Sequence, residues 1–294
     1  MTPAAEVVAP RDAASANGRV WSVAYGLSTA LVVVAAAAAA LTFFVPEVLR
    51  GPTVMNGSAR GTALVVLVVA VPLVILSMVW AARGSVRASV TWLGGLAYLL
   101  YNAVMFLFAT PFNRLFLLYV AMLSLSVWSV VAVVRQLDPH ELREQFSPSL
   151  PARAIAGYVW VIATLNALAW LVQVLPAVGT NHPAPFLDGT GLPTNPVYVQ
   201  DLAFWIPLMA VSATLLWRRQ PWGYLLVGAV LTMGVIESIG VAVDQWFGYR
   251  ADPGSSVASA GIVPAFVALA GVGLIPLFVY FRNLGGHVAR GAVT

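Results

Sequence analysis

Two carboxylates stand inside one apolar run, VLTMGVIESIGVAVDQW, residues 230–246. Glu237 and Asp244 are seven residues apart, which is two helical turns, so a helix would carry both on one face. Gly234 and Gly240 flank Glu237 three residues to either side and leave room beside the carboxylate for a partner helix or a ligand. An ionised side chain at mid-bilayer costs at least ~2.5 kcal/mol, and such residues face a bundle interior and act there. Counting fifteen residues at ~1.5 Å each from Trp222 puts Glu237 about 22 Å from the inner surface, in the outer half. No arginine is expected at that level, so Glu237 is read as protonated or easily protonated, suited to proton coupling or to hydrogen-bonding a ligand.

A third acid lies in GLPTNPVYVQDLAFWIPLMA, residues 191–210. Asn195 followed by Pro196 has the form of a helix cap and first residue, which places Asp201 in the second turn, where a helix N-terminus favours negative charge. Other apolar runs carry polar stripes. Tyr101 and Asn102 share a face with Tyr98 and Met105, while Asn166, Trp170 and Gln173 share another. Tyr119, Met122, Ser126 and Ser129 form a third stripe, and Arg114, just before it, could pair with Asp201, Asp188 or Asp244. These residues gather toward one end of their helices, which predicts a polar cavity opening outward. Plainer readings stand beside this one. Asn166, Ser126 and Ser129 can serve as interhelical glue, tyrosines and tryptophans near span ends as an interfacial belt, and Asp201 and Asp244 as surface groups.

Much other chemistry is excluded. The chain has no cysteine, so thiolate metal sites and thiol nucleophiles are ruled out. All fifteen basic residues are arginine, which removes lysine Schiff bases and the P-loop. Neither a nucleophile elbow nor a zinc-protease motif occurs. His140, His182 and His287 fall on an inner loop, an outer loop and the C-terminal tail, so no metal or other cofactor is expected. A net charge of +4 would admit a nucleic-acid partner, but the arginines are dispersed between apolar runs, and none is expected.

The elements that must position these residues follow from composition. Of 294 residues, 60% are hydrophobic and 9% charged, with mean hydropathy +0.88. A soluble domain carries about a quarter charged residues, so lipid is the solvent here. Eight stretches are long enough to cross a bilayer, near 20–45, 61–82, 88–109, 114–134, 154–176, 198–217, 222–245 and 257–281. They predict an all-α polytopic bundle as one domain over 20–281, with a disordered N-terminal tail over 1–19 and a C-terminal tail over 282–294. With the N-terminus inside, eleven arginines lie inside and four (Arg50, Arg60, Arg114, Arg250) outside, so both termini are read as cytoplasmic. The inner loop RQLDPHELREQFSPSLPAR has a helix start, with Asp138 as cap and Pro139 first. An outer loop over 177–195 is rich in Pro and Gly. Spans one to four and five to eight would run in the same directions, a parallel repeat if the halves are duplicated.

The segments YNAVMFLFATPFNRLFLLYVAMLSLSVWS, LDGTGLPTNPVYVQDLAFWIPL and WRRQPWGYLL resemble a family of uncharacterised bacterial polytopic membrane proteins, from span three onward. The resemblance implies a bacterial cytoplasmic membrane location and no activity, cofactor or site. Three readings follow. The first is binding or transport of a small molecule through an outward pocket built on Glu237, Asp244, Asp201, Asn102, Tyr101, Asn166, Gln173 and Arg114. The second is a non-enzymatic sensor or accessory subunit with a membrane-protein partner. The third is an enzyme acting on a lipid or isoprenoid, which the missing catalytic motifs disfavour.

Overall fold

The structure, a computed structural model, describes residues 11–180 and 184–285. His182, His287 and most of the C-terminal tail lie outside the described residues. Helix α1 is Arg11–Phe44, with its membrane-crossing part from Trp21, and α2 is Thr53–Ala81. They are followed by α3 (Val86–Phe108), α4 (Phe116–Val134), the short α5 (Pro139–Glu144) and α6 (Ala152–Val178). The chain closes with α7 (Pro196–Trp217), α8 (Pro221–Ala251) and α9 (Ala260–Arg282). All but α5 are long and apolar enough to span a bilayer, and no strand occurs among the described residues. The chain is an integral membrane protein with an all-α bundle of eight spans.

Helices α3 and α8 form the centre, each 67% buried over its span, and they lie against each other. Small residues allow the approach: a Cβ on Gly94 would sit 2.5 Å from the Thr232 Cβ. Around them α1 packs on α2 and α4, α7 on α6 and α8, and α9 on α8. The outlier is α6, buried over only 6% of its span.

Two helices run longer than the apolar pattern alone predicts. Residues 53–60 extend α2 and residues 246–251 extend α8, and the two extensions pack on each other. Gly57 and Gly61, spaced as a GxxxG pair, let the backbone of α8 approach; a Cβ on Gly61 would meet the Asp244 Cα at 2.8 Å. Polar residues there are helical because this close packing, and not hydropathy, holds them.

Two helices contain a single π-turn, Val66–Ala70 in α2 and Asp201–Trp205 in α7. Each runs straight into a proline, Pro72 or Pro207, placed second in the helix that resumes. Proline removes a donor and its ring clashes with the carbonyl four residues back, and a widened turn relieves both.

One end of the bundle is sealed. Asp138 caps α5 by accepting from the His140 amide at 2.7 Å. The segment after α5 then tucks beneath the bundle: Ser147 N donates to Asn283 O at 2.9 Å, and the Phe146 ring lies 5.0 Å from Tyr224 and 4.9 Å from Tyr280. Arg87 Nε donates to Leu284 O at 2.9 Å, fixing the end of α9 to the start of α3. The segment 145–151 is thus a plug docked on its own chain, and this end holds Arg83, Arg87, Arg135, Arg143, Arg153, Arg218, Arg219 and Arg282.

Candidate functional site: an acidic seam between α3, α7 and α8

The π-turn delivers Asp201 into the protein interior. It is 5% exposed, and its Oδ2 accepts from Trp170 Nε1 at 2.8 Å and from Asn166 Nδ2 at 3.4 Å, both on α6. Tyr101 of α3 faces the same carboxylate. The cap is as read: Asn195 accepts from the Val197 and Tyr198 amides, and Pro196 is the first helical residue. Asp201 is therefore an internal group held by three side chains, not a surface charge.

Glu237 lies on α8 opposite Asn102 of α3, and Asp201 and Asp244 are near enough for their charges to act on it. It is half-buried, but its Oε2 is fully buried with no hydrogen-bond partner. Asp244 shares the face, as the spacing predicts; its Oδ1 is likewise buried and unpartnered, and Ser58 of α2 lies beside it. Asn102 is 4% exposed and donates Nδ2 to Tyr98 O at 3.0 Å. The Tyr98 hydroxyl is fully buried without a partner, as is the amide nitrogen of Gln200, next to Asp201. Five of the eight expected site residues thus meet in one seam (Asp201, Glu237, Asp244, Tyr101, Asn102), with Asn166 bonded to its edge.

Gln173 and Arg114 do not join it. Gln173 is exposed on α6, beyond the turn at which that helix reaches Asp201. Arg114 is exposed at the head of α4, and none of the three acids has it as a neighbour. The α4 stripe also lies elsewhere: Tyr119 bonds Thr42 of α1 at 2.7 Å and stacks on Phe106 at 5.2 Å, so this stripe is packing. Tyr98, Trp170, Gln200 and Ser58 also belong to the seam. The helical spacing of Tyr98 to Tyr101 and of Trp170 to Asn166 carries the signal for two of them.

The two glycines beside Glu237 have different roles. Gly240 receives the Tyr98 hydroxyl, 2.9 Å from where a Cβ would sit, which brings α3 close. Gly234 is exposed with nothing within 4 Å of that position, so the helix surface is uncovered there. One cavity of about 80 Å³ lies between α3 and α4 near Asn113, and another of about 380 Å³ lies near Arg87 and Trp80. Neither is lined by the three acids.

The fold and this seam define a polytopic helical membrane protein with a buried, uncompensated acidic cluster. No family model, no curated protein and no solved structure matches the chain.

Proposed function

We propose that the protein binds or transports a small molecule through the acidic seam, with Glu237 as the group that takes up or releases a proton as the ligand moves. The observation that carries this reading is that three carboxylates share one intramembrane seam while two of them keep a buried oxygen without a partner. Leaving such groups unsatisfied is expensive, and a purely structural bundle gains nothing by it. The sealed arginine-rich end favours access from the opposite side. By the arginine count that side is the outside of a cytoplasmic membrane, with both termini inside, a single membrane domain over 20–281, and a bacterial setting as the resemblance implies.

The test uses the natural absence of cysteine. Single cysteines replacing Glu237, Asn166 and Asn102 are treated in intact cells with a membrane-impermeant thiol reagent. Labelling at all three, with none at lipid-facing Leu168 or Phe278, is expected of a hydrated ligand path. Protection at all three in folded protein would replace this reading with a closed structural network serving a partner protein.

A further inference from the structure

We infer that the seam is a site for an organic ammonium ion, an amine or a quaternary ammonium, seated among Asp201, Glu237 and Asp244. The inference rests on the reading of the seam as a ligand site and names the class of ligand.

Charge is the first argument. The charges of Asp201 and Asp244 both reach Glu237, and the arginines of that end are turned elsewhere. Arg60 donates Nε to Phe43 O at 3.2 Å and lies over the Phe43 ring, Arg250 lies over Trp246, and Arg114 is exposed. Once Glu237 has given up its proton, what the seam lacks is a positive charge.

The unsatisfied atoms indicate what must carry it. Glu237 Oε2 and Asp244 Oδ1 are acceptors, and the fully buried Tyr98 hydroxyl, within electrostatic reach of both acids, can accept as well. A cation that presents N–H or polarised C–H groups meets all three; a neutral ligand would leave the charge standing. Among the described residues no group of three or more His, Cys, Asp or Glu is disposed to hold a metal ion. Carboxylates so disposed suit a larger, polyatomic cation.

Aromatic rings supply the rest. Trp170 holds Asp201 and packs on Tyr198 at 4.5 Å, while Tyr101 faces Asp201 and packs on Trp205 at 5.9 Å. Ring faces beside carboxylates are the combination that attracts alkylammonium groups, because the quadrupole of the ring favours a weakly hydrated cation. A bare metal ion would not need them.

The experiment titrates purified wild-type protein in mild detergent with benzyltrimethylammonium chloride, following tryptophan fluorescence and thermal midpoint. Benzyl alcohol controls for the ring and sodium chloride for ionic strength. Saturable binding of the ammonium alone is expected. It should weaken by roughly tenfold in D201N and in E237Q, and by about a hundredfold or more in the triple variant D201N/E237Q/D244N. Each variant is first shown to be monodisperse, with a thermal midpoint at least that of wild type for E237Q. Equal binding of benzyl alcohol, or wild-type affinity in the triple variant, overturns the inference. If the ammonium does not bind while the three cysteines are labelled from outside, the cationic class falls and the ligand site stands; if the cysteines are also protected, both fall.

Discussion

The first four spans and the last four follow one plan, yet only the second set carries the acids. A constant shift of 135 residues (from 66 to 201, from 72 to 207) superposes the two π-turns and the prolines after them. The same shift pairs Ser77 with Ser212, both buried, and Gly84 with Arg219, both with positive φ in the turn that follows. Arg219, at φ 55°, is the non-glycine residue that accepts this strained geometry, because the tight turn into α8 requires it there. Continued into the central helices, the shift sets Asn102 opposite Glu237, and these two residues face each other across the middle of the molecule. Each acid of the seam has an uncharged counterpart: Val66 for Asp201, Asn102 for Glu237 and Ala109 for Asp244.

The halves also differ in closure. In the first, α1 carries a run of fully buried alanines (Ala35, Ala38, Ala39) and lies along α4, joined to it by the Thr42–Tyr119 bond. In the second, the corresponding α6 and α9 are the two least buried spans and come together near Tyr158 and Gly273. The comparison teaches that one helical plan can be used twice, once closed and apolar as a support, once opened around charge as a site. Backbone irregularity alone does not make a site. Val66–Ala70 has the same π-turn as Asp201–Trp205, but its first residue is apolar and packed.

The largest expected effects come from the support. Leucine at Gly61 would drive a side chain into the α8 backbone, and we expect a loss of about 3 kcal/mol or more, read as failure to purify a monodisperse protein. Leucine at Gly271 or Gly234, where nothing lies within 4 Å, should leave the thermal midpoint within the range of a surface change, about 0.5 kcal/mol. Similar damage at Gly61 and Gly271 would break the contrast between a closed half and an open one.

Next come exchanges that give the second half the residues of the first. D201V deprives Trp170 and Asn166 of their acceptor and should cost about 1–3 kcal/mol, measured as a lower thermal midpoint. E237N should go the other way, raising stability while removing ligand binding, because it replaces a buried carboxylate that has an unpartnered oxygen. If both exchanges lowered stability alike, Glu237 would be a bonded structural residue and the functional reading of the seam would fail.

How far the sequence discloses this arrangement depends on what each feature rests on. Spans are legible because hydropathy over about twenty residues is a bulk property. The Asn195 cap and the shared face of Glu237 and Asp244 are legible because they depend only on local spacing. The starts of α2 and the end of α8 are not, since polar residues there are held helical by packing between Gly57, Gly61 and Gly248, which no window average detects. Gln173 and Arg114 fit the pattern of the site but not its position. Gln173 is one turn too far along α6, and Arg114 sits on a helix committed to α1; which helix neighbours which is a tertiary fact. The repeat is legible in Pro72 and Pro207 once the π-turns fix the register.

A smaller test compares the two π-turns directly by hydrogen exchange in detergent. Both break the regular ladder at the same place, so any difference reports their surroundings. On the reading of the seam as a hydrated ligand path, amides over 201–205 should exchange at least about tenfold faster than those over 66–70, equivalent to ~1.4 kcal/mol of local opening. Equal protection would mean that the acids are dry and that the open half is closed to water.

The finest contrast is between two tyrosines at corresponding seams. Tyr119 joins α4 to α1 through Thr42, with both groups buried, so Y119F should cost about 1 kcal/mol, a fall of ~2–4 °C in thermal midpoint. Tyr158 stands between α6 and α9 with its hydroxyl 3.2 Å from the position of a Cβ on Gly273 and no hydrogen bond to hold it. Y158F should therefore leave the midpoint unchanged. A shift at Tyr158 as large as that at Tyr119 would mean that α6 and α9 are clasped as firmly as α1 and α4, and that the seam is reached from the end of the bundle and not through its side.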